Sequence, residues 1–208
     1  SRPVGSVLHY RLARGDREIE RAVAIRRFDA GDAAMLFGAY LLNGLLLGFL
    51  GLYLVSRDGL DPGTRSAAPF LICAALWGLS GMDLYGARVL FRAHALCEAL
   101  IFATACQAAR EFPTRCFGGE TTRRLVRFAY AISAVLAVGY QAVLFDPEGY
   151  VTAHLLATSL GGLGLLLVML GLLVRYVRRF RPAPWGALGT LAAGGALAFL
   201  GPVLLTLP

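Results

Sequence analysis

Runs of about twenty apolar residues recur along this chain, and nothing else in it constrains the fold so strongly. Each run is long enough to cross a hydrocarbon core of about 30 Å as a helix. Six segments have this character, at 32–55, 67–85, 88–110, 125–145, 151–174 and 183–207. Inside lipid the backbone must satisfy its own hydrogen bonds, which leaves only helices or a closed barrel. The segments are continuously apolar and lack the alternation of barrel strands, so helices are expected. Composition agrees: 16% of the 208 residues are charged, against about 25% in soluble domains, and mean hydropathy is +0.64. The expected fold is an all-α membrane protein, a bundle of six transmembrane helices with a short N-terminal extracytoplasmic β-hairpin.

The hairpin is read from GSVLHYRLARGDREIERAVAIRRF. Leu8, Tyr10 and Leu12 alternate with polar residues, Arg14-Gly15-Asp16 supply turn chemistry, and Ile19, Val23 and Ile25 continue a mostly alternating pattern. A two-stranded hairpin alone is marginal in water, so it reads as the tail of a larger domain. The chain opens at Ser1 and stops at Pro208, at the end of an apolar run. It is therefore expected to be a piece of a longer protein, with the hairpin at 1–32 and the helical domain at 33–208.

The net charge is +7 and all 20 basic residues are arginine. They cluster beside apolar runs, as membrane orientation requires, so the charge reads as an anchor in the lipid bilayer and not as nucleic-acid binding. Arg57 and Arg65 follow the first segment. Arg110, Arg115, Arg123, Arg124 and Arg127 lie between the third and fourth, and Arg175, Arg178, Arg179 and Arg181 between the fifth and sixth. The loop FDPEGY between the fourth and fifth has two acids and no arginine. The basic loops are expected in the cytoplasm, and the hairpin outside. Cys73, Cys97 and Cys106 fall in apolar runs and Cys116 in a basic loop, without zinc-type spacing; they read as free thiols. Gly44, Gly48 and Gly51, then Gly161, Gly162 and Gly164, then Gly186, Gly189, Gly194, Gly195 and Gly201 should let helices approach closely. Pro202 should kink the last segment.

MDLYGARVLFRAHALCEAL (82–100) is exceptional, since it carries Asp83, Arg88, Arg92, His94 and Glu98. Asp83, Arg88 and Arg92 read as interfacial anchors, with Arg88 and Arg92 an i, i+4 helical pair. Glu98 falls about 15 Å in from Arg88 at helical rise, near the bilayer midplane. A charge there costs at least about 2.5–3.5 kcal/mol, so the carboxyl should be protonated, hydrogen-bonded or paired. His94 lies one turn above it. Asn43 matches its depth, while Tyr140, Gln141 and His154 fall in the outer half of their segments. A polar cluster of Asn43, His94, Glu98, Gln141 and His154 is inferred. It is either a network that fixes packing or a ligand, proton or ion site. A metal site on His94, Glu98 and His154 is a weaker alternative. No catalytic motif and no cofactor are read from the chain.

Three phrases carry a resemblance: the hairpin followed by FDAGDAAMLFGAYLLNGLLLGFLGLYLVSR, the helix end MDLY, and HALCEALIFATACQAAREFP before a basic loop. Over nearly its whole length the chain resembles the multi-helix membrane input region of large bacterial signalling proteins. The resemblance implies a PDZ-like extracytoplasmic segment, an inner-membrane location, and a homodimer through the full-length protein. It also implies a cytoplasmic output module such as a histidine kinase, a nucleotide cyclase or a phosphatase. No kinase or cyclase motif appears here, so the output enzyme is expected outside this segment. The partner implied is a small or lipophilic signal, or a peptide. The rivals are an intramembrane metal hydrolase, using His94, His154 and acids such as Asp83 or Glu98, a small transporter, and a scaffold without ligand. Against the first two, the chain has three His and no HExxH, and no repeat relates its two halves.

Overall fold

The computed structural model describes residues 5–14, 17–25, 29–57, 60–85, 87–112 and 119–179. They are mostly helical, with one two-stranded sheet. The chain divides into two compact units, Ser1–Gly38 and Ala39–Pro208.

The first unit holds the hairpin. β1 (Val7–Arg14) pairs antiparallel with β2 (Arg17–Ala24), setting Leu8 opposite Val23, Tyr10 opposite Arg21 and Leu12 opposite Ile19. Directly opposed residues share a face, so Leu8, Tyr10, Ile19 and Val23 fall on one face of the ribbon. Arg11 and Glu20 pair on the other face at 3.1 Å. Asp29 and Asp32 open α1 (Ala30–Ser56) reciprocally. The Asp32 N–H donates to Asp29 Oδ1 at 2.8 Å, and the Asp29 N–H to Asp32 Oδ2 at 3.3 Å. This has the logic of a capping box.

In the second unit, the α1 residues from Ala39 onward are followed by a single turn, α2 (Pro62–Arg65), whose first N–H groups are met by Asp61. α3 (Ala68–Gly81) follows, extended by a 3-10 turn at Met82–Tyr85, then α4 (Phe91–Glu111), α5 (Glu120–Val143) and α6 (Pro147–Arg179). α4 is central and packs against α3, α5 and α6. Its sequence explains why. Ala95, Ala99 and Ala103 recur every fourth residue, joined by Ala105 and Ala108, and all five are buried. Small side chains let several backbones approach one helix.

Glycines on the neighbours complete the fit. A Cβ at Gly164 would lie 2.9 Å from Ala105 Cβ and 3.2 Å from the Phe102 carbonyl oxygen. One at Gly44 would lie 2.7 Å from Leu79 Cγ, and one at Gly51 2.8 Å from Ile72 Cγ1, both on α3. Gly162, by contrast, faces open space. Cys73, Cys97 and Cys106 are free thiols, as expected. Cys116, Pro202 and the glycines of the sixth apolar segment lie outside the described residues.

Six spans were expected; among the described residues, three helical stretches are long and apolar enough to cross a membrane. These are Pro62–Leu84, Glu120–Val143 and Pro147–Arg175, with Tyr40–Ser56 a shorter apolar helix. α4 is not among them, because Arg92, His94, Glu98 and Arg110 interrupt its apolar character. Its neighbours shelter it instead. Large apolar side chains on the outer helices point away from the core: Phe49 is 73% exposed, Val135 75% and Val138 72%.

Two turns position the site. Between α5 and α6, Asp146 accepts from the Gly149 N–H at 2.9 Å with Pro147 at the first helical position, a strong helix start. The end of α5 is thereby folded back against the beginning of α6. Between α3 and α4, Asp83 Oδ2 accepts from the Leu90 N–H at 2.6 Å. Arg88 sits in that turn at φ 58°, in the left-handed region that a side chain disfavours. Arg88 therefore precedes α4, and the expected helical Arg88–Arg92 pair does not form.

Candidate functional site

The buried side of α4 carries Glu98, which is 3% exposed. Three donors from two other helices converge on its carboxyl. The Tyr140 hydroxyl, on the last turns of α5, donates to Oε2 at 2.8 Å. His154 Nδ1, on the second turn of α6, lies 3.1 Å away. The Thr158 hydroxyl, one turn further along α6, reaches Oε1 at 3.1 Å and shares its proton with the His154 carbonyl at 2.8 Å. Tyr140 Oη also lies 3.2 Å from His154 Nδ1. With the tyrosine proton directed at the carboxyl, its oxygen is free to accept. A proton on Nδ1 therefore satisfies every distance at once. Convergent donors suit an acceptor-only group, the ionised carboxylate.

The cluster is graded in exposure. Tyr140 is fully buried at 0%, whereas the His154 side chain is 41% exposed. His154 stacks on Tyr150 at 5.8 Å with planes 7° apart, and Tyr150 packs on Phe91 and Tyr140. An aromatic wall thus covers the start of α6, and the imidazole links the buried carboxylate to the surroundings.

Glu98 was expected near the midplane. It lies about 10 Å along α4 from Phe91 and about 20 Å from Glu111 at helical rise. Tyr140 is within one turn of the end of α5. The site therefore sits about a third of the way along α4, from the end where α5 turns into α6.

The structure brings together two of the five candidate cluster residues, Glu98 and His154. His94 is buried, yet its ring turns to α3. Its Nδ1 lies 3.1 Å from both the Trp77 carbonyl and Ser80 Oγ, and the ring stacks on Trp77 at 5.8 Å. A carbonyl can only accept, so Nδ1 carries the proton and His94 ties α4 to α3. Gln141 faces Arg92: its Nε2 donates to the Arg92 carbonyl at 2.8 Å, and Arg92 Nη1 donates to Gln141 Oε1 at 3.4 Å. Arg92 also lies over the Phe145 ring at 5.4 Å. Asn43 is half-buried on α1 and, among the described residues, makes no hydrogen bond to Glu98. Tyr140, noted in the outer half of its segment but left out of the inferred cluster, belongs to it, and Thr158 was the residue missed. Thr158 follows His154 by four residues on α6, a spacing that put it on the same face.

The basic residues also separate. Arg123, Arg124 and Arg127 are exposed on α5 around Glu120, at 3.5, 3.5 and 3.9 Å. Arg110 and Arg175 are instead buried, at 8% and 3% exposure. Arg175 Nη2 donates to the carbonyls of Ala109 and Arg110 at 2.8 and 3.0 Å, closing the C-terminal end of α4 from α6. Arg178 and Arg179 fall in α6, but their side chains, like Arg115 and Arg181, lie outside the described residues. Among the described residues, no three His, Cys, Asp or Glu are placed to hold a metal. The alternative trio of His94, Glu98 and His154 is split by the turn of His94 toward Trp77.

No family model, curated protein or solved structure matches this chain.

Proposed function

We propose that the chain is the membrane-embedded signal-input region of a bacterial sensor protein. In this reading six helices cross the inner membrane with the arginine-rich loops in the cytoplasm and the hairpin outside. An extracytoplasmic or intramembrane signal, small and lipophilic or a peptide, shifts helix packing and biases a cytoplasmic output domain. The observation that carries the reading is the Glu98 carboxylate, buried between three helices on donors from α5 and α6. A structural core would be cheaper with an apolar residue there, because a buried ion pair often stabilises no better than well-packed hydrophobes. Its polar partners make the α4–α5–α6 contact conditional: a change at the exposed edge of His154 alters the hydrogen bonds of a group inside the core. A signal acts only through differential affinity for two packings, and making or breaking this cluster would distinguish them.

The test is Glu98→Gln in the full-length protein, with output read as phosphorylation or cyclic-nucleotide formation and membrane expression checked in parallel. Output locked in one state at normal expression is expected. A variant that still answers the signal as the wild type does would refute the assignment.

A further inference from the structure

We infer that the cleft between α4, α5 and α6 binds an anionic phospholipid, one acyl chain lying along the cleft and the phosphate at its Arg110 end. The inference rests on the membrane reading above and is independent of the Glu98 cluster. The cleft has a volume of about 560 Å³, within the range of about 300–1,000 Å³ for small-ligand sites. Phe102 and Cys106 of α4, Val126 and Ile132 of α5, and Leu167 and Val174 of α6 line it. It follows α4 from Phe102 to Arg110, about 12 Å at helical rise. Leu125, Phe128 and Leu170 on its lining are exposed, so the cleft opens outward, where lipid would be.

The second observation is Arg110 itself. Its side chain lines the cleft and is 9% exposed; Nη1 pairs with Glu111 at 2.9 Å, while Nε is buried without a hydrogen-bond partner. A buried donor without an acceptor is costly, and a small turn of the guanidinium toward the cleft would give it a phosphate oxygen, the acceptor that it fits best. Arg175 of α6 reaches the same end, its side chain beside the lining residue Gly171 and its Nη2 on the Arg110 carbonyl, so two guanidinium groups stand there with one acid, Glu111. That end of the cleft has excess positive charge. Apolar slot, unmet donor and cationic rim together match one acyl chain with an anionic headgroup, as basic pockets between membrane helices do in general.

The test uses the whole protein, purified in detergent and stripped of lipid. It is then offered phosphatidylglycerol, phosphatidylcholine or glycerol 3-phosphate, with retention read by native mass spectrometry. Retention of phosphatidylglycerol about fivefold or more above phosphatidylcholine is expected. Arg110→Gln should abolish that preference while acyl-chain binding persists. Leu170→Trp, a substitution at an exposed position on the cleft mouth, should reduce retention of both lipids. Three binding results would overturn the inference while leaving the membrane reading in place. Equal retention of the two lipids would remove the anionic headgroup. Retention of glycerol 3-phosphate as strong as that of the lipid would remove the acyl chain. No retention of either lipid would remove the site altogether. A protein that stayed in solution without detergent would overturn the membrane reading and this inference with it, a result distinct from any lipid preference.

Discussion

Tyr140→Phe removes one hydroxyl and nothing else. That hydroxyl is fully buried and donates to Glu98 Oε2 at 2.8 Å. Hydrogen bonds to charged groups contribute about 1.5–3 kcal/mol net in water-soluble proteins. Between membrane helices the measured average is nearer about 0.6 kcal/mol, with a maximum of about 1.7 kcal/mol. Oε2 keeps His154 Nδ1 at 3.1 Å, and His154 is exposed enough for solvent to compensate in part. The expected cost is therefore about 1–1.5 kcal/mol, roughly a tenfold change in the unfolding equilibrium. A double-mutant cycle isolates the pair. With Glu98→Leu the carboxylate is gone, so adding Tyr140→Phe should cost close to nothing, and the coupling should equal the cost seen in the wild type. Reversible unfolding in mixed micelles, followed by helical ellipticity, reads all four corners. If Tyr140→Phe costs the same in both backgrounds, within about 0.3 kcal/mol, the hydroxyl does not act through Glu98 and the reasoning fails.

Packing makes a sharper contrast on one helix. Gly164→Leu drives a side chain into Phe102 and Ala105 and should cost at least about 1–3 kcal/mol by overpacking, whereas Gly162→Leu, facing open space, should be near neutral in the same unfolding assay. Arg175→Ala should expose the Ala109 and Arg110 carbonyls that its Nη2 now satisfies, with faster amide hydrogen exchange over the last turn of α4; unchanged exchange there would argue against the cap.

Much of the second unit was legible in the sequence. Long continuously apolar runs that lack the alternation of strands favour helices, so the positions of α1, α3, α5 and α6 follow from composition within a few residues. Periodic alternation likewise gave the hairpin, because a strand presents every second residue to one face. Asp-Pro before α6 announced its start chemically. Glu98 and His154 stood out because ionisable groups are expensive among apolar neighbours.

What the residues alone could not decide was direction. His94 and Glu98 share a face of α4 by spacing, but the ring is drawn to the Trp77 carbonyl, which belongs to another helix. Gln141 and Tyr140 are adjacent in the chain, so depth could not choose between them. The rotation of α5, fixed by packing against the alanines of α4, turned the tyrosine inward and left the glutamine beside Arg92. Likewise Arg110 and Arg175 count as basic-loop residues by position, yet the close approach of α4 and α6 buries both. Sequence determines which segments leave water and which groups must find partners there. Which partner each one finds depends on how neighbouring helices rotate about their axes, and that is set by contacts far apart in the chain.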